Sequence, residues 1–341
     1  MSTRRQYTLA LCRELEKEAE RVKDRAVDTV FFGGGTPSLL SCADISLLLD
    51  TLAKNYCIKK DAEISMEVNP ATADEKKLSL IKAAGVNRLS IGMQSANDGE
   101  LAALGRIHTH RDFLCIYESA RRVGFDNINA DVMYGIPNQT CESFHETLKA
   151  LVSLDCDHVS AYALKIEEGT PFYRVRHTLV LPTEEQEYEM YLDCINTLGE
   201  AGFEHYEISN YAKKDKKCRH NLRYWRAGEY LGFGVAAYSY FDSVRYGNDS
   251  DVDDYIKNGA HIIDRDLVSD KESEYIMLHF RLREGVCKDE FKKLFGVDFA
   301  EKYRDPIERM TRLGYMKIND GRYFLTDSGM YVSNSVLLEF I

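Results

Sequence analysis

The sequence predicts an α/β protein: strand–helix units building a parallel sheet, open or curled into a partial barrel, with a smaller α+β domain after it. Three observations carry this. β-Branched or aromatic runs recur six times and alternate with stretches of helical period. Glycines stand where those helices should end, at Gly85, Gly124 and Gly202. The chain also opens on a helix, so the first strand of the alternation is missing.

Taken in order, residues 3–23 form that helix, with Leu9, Cys12, Leu15, Ala19 and Val22 on one face and Glu, Lys and Arg on the other. Strands begin at Asp28 (DTVFF), Glu63 (EISMEV), Arg88 (RLSIGM), Asn127 (NINADVM), His158 (HVSAYAL) and, with the weakest signal, Glu204 (EHYEIS). Helices at 43–56, 74–84, 110–123, 140–153 and 183–200 separate them, with apolar spacing such as Leu78 and Ile81. After about residue 250 the pattern changes. Helices at 270–285, 288–295 and 303–314 precede a hairpin, Tyr315-Met-Lys-Ile to Tyr323-Phe-Leu-Thr, and a last helix from Asp327. Three helices and a hairpin resemble a winged helix. The expected organisation is residues 1–250 for the barrel-like domain and 251–341 for the winged-helix-like one.

Composition excludes several classes. The 341 residues suit about two domains of roughly 150. Forty-four basic against fifty-five acidic residues leave a net charge of −11, the wrong sign for bulk attraction to phosphate. From Lys271 onward twelve basic residues meet twelve acidic ones, so the wing lacks a basic surplus and nucleic acid is not an expected partner. The longest uncharged stretches, 29–43 and 230–241, are too short for a membrane span of ~20 residues. The charged opening, Arg4 and Arg5 and then Cys12-Arg-Glu-Leu-Glu-Lys-Glu, does not read as a secretory h-region. Nine cysteines, an odd number with no two closer than fifteen residues, make neither a disulfide framework nor a CxxC knuckle, so a reducing cytoplasm is expected.

Chemistry concentrates at predicted strand ends. Phe31-Phe32-Gly33-Gly34-Gly35-Thr36-Pro37-Ser38 follows a strand directly. A tight βα turn needs one glycine or two. Three in a row let a backbone approach a ligand closely and expose N–H and C=O groups to it. No P-loop lysine follows, which removes a nucleoside triphosphate cradle. Glu67, Gln94 and Asp131 then sit at or just past successive strand ends, and Arg106 lies between the third and fourth strands. In parallel α/β sheets those ends form the ligand face. Carboxylates and an amide suit ribose hydroxyls; a guanidinium suits a carboxylate.

The motifs GGGTPS, MEVNP, NRLSIGMQS, LGRIHT and ADVMYGIPNQT resemble the radical S-adenosylmethionine proteins of the oxygen-independent coproporphyrinogen oxidase group. The resemblance runs in order from about residue 5 to the C-terminus. It implies a partial six-stranded (β/α) barrel, lacking its first strand here, with a C-terminal accessory domain. It also implies that Gly34, Gly35 and Thr36 meet the methionine end of S-adenosylmethionine, and that Glu67, Gln94, Arg106 and Asp131 line the same ligand's sites.

Cys218-Arg-His220-Asn221-Leu-Arg-Tyr224-Trp225 holds an HNxxYW core similar to that of the HemW-type haem chaperones, a branch of this group that binds and delivers haem. The residues suit it: imidazole is a common axial haem ligand, and Tyr224 with Trp225 could stack on a macrocycle. Residues 213–226 hold seven basic residues and one acid, a local attraction for propionates in an acidic chain. The plain alternative is a solvated basic loop before a buried aromatic pair. His108, His158 and His205 are better explained as structural or hydrogen-bonded.

The family's CxxxCxxC loop, whose thiolates hold a [4Fe–4S] cluster, is absent: the first cysteine is Cys12, inside the first helix, and the next is Cys42. The missing strand and the missing thiolates are one gap seen twice, and the intact remaining motifs favour truncation of a complete protein over a natural cluster-free relative. The expected function is therefore a haem chaperone delivering haem to acceptor proteins, with the cluster present only if the missing segment is. The alternatives are a coproporphyrinogen III oxidase and a cluster-free S-adenosylmethionine-binding relative. A partial barrel without its first strand exposes the edge of DTVFF, so a homodimer or poor solubility is expected. Haem delivery leaves room for peripheral membrane association, although no amphipathic anchor stands out.

Overall fold

The computed structural model describes residues 2–341; Met1 lies outside the described residues. In chain order the first part contains α1 (Thr3–Ala19), β1 (Ala26–Phe32), α2 (Cys42–Asn55), β2 (Cys57–Val68), α3 (Glu75–Ala83), β3 (Arg88–Gln94), α4 (Asp98–Ala103), α5 (His110–Val123), β4 (Ile128–Tyr134), α6 (Cys141–Ser153) and β5 (His158–Ala163). Then come α7 (Pro171–Val175), α8 (Glu184–Glu200), β6 (Glu204–Glu207), β7 (Asn210–Ala212), α9 (Arg219–Trp225), β8 (Tyr238–Phe241), β9 (Val244–Asn248), α10 (Val252–Asn258) and β10 (Ile262–Leu267). The last part holds α11 (Lys271–His279), β11 (Val286–Cys287), α12 (Lys288–Phe295), α13 (Phe299–Lys302), α14 (Arg304–Arg312), β12 (Met316–Asn319), β13 (Arg322–Leu325), α15 (Asp327–Tyr331) and α16 (Ser333–Leu337). The chain folds into two compact units, each built from separate stretches of sequence.

The first unit comprises the chain up to Leu89, Glu118–Asp126 and Arg219–Lys271. Here β1 and β2 pair in parallel, Thr29 opposite Glu63 and Phe32 opposite Met66. α1 buries Cys12, Leu15 and Ala19 on the expected face, and α2 buries Ile45, Leu48, Leu49 and Leu52. Each fully buried aliphatic of this kind contributes about 1.5–3 kcal/mol. Ser41 caps α2 by accepting from the Asp44 N–H. One feature of α1 runs against its pattern. Glu14, on the polar side by sequence, is buried and accepts from Gly234 N–H (2.8 Å), Asn248 Nδ2 (2.8 Å) and Tyr255 Oη (2.6 Å). Those donors belong to an antiparallel sheet ordered β10-β9-β8 and its neighbouring segments.

The second unit comprises Ser90–Tyr117, Asn127–Cys218 and Glu272–Ile341. β4 and β5 pair in parallel, Asn129 opposite His158 and Asp131 opposite Ser160. The strand expected at EHYEIS forms as β6, but it is not the next parallel strand. β7 pairs antiparallel with β5, Val159 opposite Tyr211, and β6 pairs antiparallel with β7. The reason is local: the Asn210 amide donates to the Glu207 carboxylate, closing a turn, and Tyr211 and Ala212 then take the buried positions. Toward the C-terminus the expected helices and hairpin form. Phe280, Phe291 and Phe299 are fully buried and pack edge-on with Phe340 and Tyr323. The β12–β13 hairpin turns on Asp320 and Gly321, both left-handed (φ 47° and 71°), as a two-residue turn requires.

Candidate functional site

In the first unit the glycine turn leaves β1 with Gly34 and Gly35 in left-handed conformations (φ 73° and 91°) and open space where their Cβ atoms would stand. Gly33 differs. A Cβ there would lie 2.8 Å from the Phe31 ring and 3.0 Å from Glu67 Oε1. The Glu67 carboxylate at the end of β2 is therefore pressed against the backbone of the turn, and only glycine permits that approach. Behind the turn, the buried Ser38 hydroxyl accepts from Asn69 N–H (3.1 Å) and pairs with Thr72 Oγ1 (2.6 Å), while Lys77 donates to the Ser38 carbonyl. These bonds fix the turn to the loop that follows Glu67. Thr36 closes it, its carbonyl accepting from Leu39 N–H. Open backbone groups beside a carboxylate suit an ammonium or a pair of hydroxyls.

The second unit carries Gln94, Arg106 and Asp131. Gln94 ends β3 with φ 64°, a conformation costly for a non-glycine residue and common at functional positions. Its Oε1 accepts from Tyr162 Oη at 3.2 Å, and its amide folds over Gly92, whose Cβ would lie 2.8 Å from Nε2. Asp131 accepts from Ser90 Oγ (3.2 Å to each oxygen) and from Asn129 Nδ2 (2.7 Å). Asn129 Oδ1 in turn meets His158 Nδ1 (2.6 Å) and Ser160 Oγ (3.1 Å), and His158 Nε2 meets Tyr206 Oη (2.7 Å). His158 is thus structural, as expected, but it anchors a hydrogen-bonded row that sequence reading did not assemble. The available signal was the alternation of polar residues in RLSIGMQ, NINADVM and HVSAYAL, which aims Ser90, Asn129, Asp131 and Ser160 to one face. Arg106 sits half-buried after Gly105 (φ 68°), its N–H bonded to the Leu101 carbonyl at the end of α4.

HNxxYW forms α9, a seven-residue helix of the first unit. His220 and Tyr224, one turn apart, share a face; Asn221 and Trp225 occupy the next row. The His220 ring lies over Phe31, centroids 5.0 Å apart, with Nδ1 2.9 Å from Thr29 Oγ1 and Nε2 3.0 Å from Tyr224 Oη. Arg219 N–H and His220 N–H donate to the two oxygens of the buried Glu63, at 3.0 and 3.1 Å. Burial pushes the imidazole pKa down to about 4, with Glu63 opposing and Arg88 and Arg223 adding to the fall. His220 is therefore neutral at pH 7, the form that ligates iron. Tyr224 meets Tyr230 edge to face at 4.4 Å. The basic run is less exposed as charge than its composition suggests. Lys213 and Lys217 pair with Asp155 and Glu204 in the second unit, and Arg219 and Arg223 with Asp61 and Asp28 in the first.

Comparison with known proteins then decides the family. The Radical SAM superfamily model matches residues 2–151, and that of the HemN C-terminal domain matches 269–332. The haem chaperone HemW of Bacillus subtilis is 33% identical over 347 residues, covering 98% of this chain and 91% of the relative. The chain belongs to the HemW family. The HemW of Escherichia coli is likewise 33% identical, covering 98% of this chain and 89% of the relative. The solved coproporphyrinogen III oxidase HemN of Escherichia coli shares the fold, with a TM-score of 0.84 over 99% of this chain and 83% of that one, at 23% identity. The HemW family resemblance drawn from the motifs and the α/β partial-barrel fold class are thus both borne out.

The residues present do not fit the family's iron–sulfur cluster. None of the nine cysteines forms a disulfide, and among the described residues no three His, Cys, Asp or Glu side chains group to hold a metal ion. No described helix is long and apolar enough to cross a membrane.

Proposed function

We propose that this HemW-family chain is a haem chaperone that binds haem at α9 through His220 and passes it to haem-accepting proteins. The observation that carries this reading is the neutral imidazole of His220 inside HNxxYW, in a chain matched nearly end to end by haem chaperones. Haem bound there would supply an open iron coordination position for His220 and two propionates for nearby cations. Tyr224 and Trp225 would give it aromatic contact, and Asn221 a polar one. Arg219 and Arg223 are the cations on the same helix. The donor set fits, since a neutral nitrogen, aromatic surface and guanidinium groups are what a ferric porphyrin needs.

S-adenosylmethionine is the second proposed ligand. Gly34, Gly35, Thr36 and Glu67 are the candidate residues for it in the first unit, and Gln94, Arg106 and Asp131 are candidates in the second. The Gly33 approach to Glu67 and the fixed Asp131 carboxylate support their roles. S-adenosylmethionine chemistry in this superfamily depends on a cluster the present residues do not fit. The oxidase reading draws on fold alone, at 23% identity. The cysteine usage supports a cytoplasmic setting.

The test is an absorption titration with haem. The wild-type chain should shift the Soret band saturably, and His220→Ala should weaken binding by about tenfold or more. Equal titration curves would remove His220 from the site.

A further inference from the structure

His220 cannot ligate iron in the arrangement described. Both of its ring nitrogens are engaged, by Thr29 and by Tyr224, and one face of the ring is against Phe31. The guanidinium groups that would meet propionates are engaged as well. Arg223 pairs with Asp28, and Arg219 holds the Asp61 carbonyl (2.6 Å) and carboxylate (3.5 Å). The first peptide N–H groups of α9 are taken by Glu63. Apart from Tyr224 on the helix itself, these partners come from β1 or β2: Asp28, Thr29, Phe31, Asp61 and Glu63.

We infer that α9 is a latch holding the haem site shut, in which carboxylates of β1 and β2 occupy the cations that haem propionates claim when the helix is released. This rests on the reading of His220 as the haem ligand. The chemistry is an exchange of like for like. Two carboxylates of the chain, Asp28 and Asp61, are replaced by two carboxylates of the porphyrin, while iron replaces a hydroxyl partner of the imidazole. Like-for-like exchange costs little net electrostatic energy, so the equilibrium is set by the smaller bonds to Thr29 and Glu63 and by the Phe31 stack. A short helix held by side chains at both ends, rather than by a broad apolar face, suits such a release: none of its residues is fully buried. The consequence is that apparent haem affinity equals the intrinsic affinity reduced by the fraction of molecules with α9 released. A chaperone gains from that arrangement, because re-closing the latch helps expel haem toward an acceptor.

The experiment compares the wild-type chain with Asp61→Asn, Thr29→Val and the Asp28→Asn/Thr29→Val pair. Haem binding is followed by Soret absorbance, and amide hydrogen exchange is followed across residues 219–225. Asp61→Asn lies at an exposed side chain, so it cannot fail simply by unfolding the unit. The variants should exchange faster at 219–225 without haem and bind haem up to about tenfold faster and tighter. His220→Ala placed on the pair should cancel the gain. Faster exchange with unchanged haem binding overturns the latch and leaves His220 as ligand. Unchanged exchange in all variants overturns it too, since the named groups then do not hold the helix. Undiminished haem binding in His220→Ala removes the site itself, a different failure from either.

Discussion

Tyr255 donates its hydroxyl to the Glu14 carboxylate at 2.6 Å, joining α1 to α10 across 241 residues of sequence. Gly234 N–H and Asn248 Nδ2 complete the shell, so one buried carboxylate satisfies three donors from three separate segments. Burial and this carboxylate together push the Tyr255 pKa upward, keeping the phenol a donor. Glu14→Ala would strand all three donors, at about 3 kcal/mol or more. Urea denaturation should show a lower midpoint with an unchanged slope. Glu14→Gln, which keeps an acceptor, should recover part of the loss.

Acid should destabilise the chain in a defined window. Burial pushes both His220 and His205 down to about 4, with Arg283 adding to the fall at His205. An unfolded histidine takes its proton near pH 6.5, and the folded ones only near pH 4. The unfolded state therefore binds more protons between those values. Stability is full above about pH 6.5 and falls progressively toward pH 4, by up to about 3 kcal/mol for each histidine. Denaturation curves at about pH 7 and about pH 4.5 check this. His205→Phe should lose less stability between them than the wild-type chain does.

At the glycine turn, position rather than residue type decides the outcome. Gly33→Ala puts a methyl against the Phe31 ring and Glu67, so it should move the carboxylate and lower S-adenosylmethionine affinity by about tenfold or more in calorimetry. Gly34→Ala meets no neighbour and should cost only the left-handed backbone strain, about 1 kcal/mol of stability. A reversed order would dismiss Glu67 as a ligand-facing group.

Among the described residues β1 has one ladder, with β2, and its Asp28-Thr-Val-Phe-Phe run is only half-buried. We expect self-association, seen as a concentration-dependent elution volume in size-exclusion chromatography. A sharp monomer across a wide concentration range counts against it.

Much of this was legible before the fold was known. The strands at Arg88, Asn127 and His158 announced themselves because each buries an apolar face over six or seven residues. Sites at strand ends followed from the same alternation. What stayed hidden was short or locally ambiguous. β7 spans three residues, too few for a period to show, and the four residues of β6 gave the weakest strand signal and no sign of its antiparallel pairing. β10 is exposed along its whole length, so no burial pattern marks Ile-Ile-Asp-Arg-Asp-Leu as a strand. α9 has no fully buried residue, and its basic composition reads as loop. Glu14 shows the other limit: a carboxylate on a charged helix face gives no sign that three distant donors will claim it.

The pairing of β1 with β2 slips between Val27 and Thr29. Val27 faces Ile58, yet Thr29 faces Glu63, so β2 advances five residues while β1 advances two. The surplus chain includes Asp61, which grips Arg219. Its length is free of the ladder that follows, where Val30 to Phe32 stay in step with Ile64 to Met66. Lengthening or trimming this slack should therefore tighten or loosen the hold on α9 while leaving the ladder from Val30 to Phe32 in register, a dial set apart from the machine it adjusts.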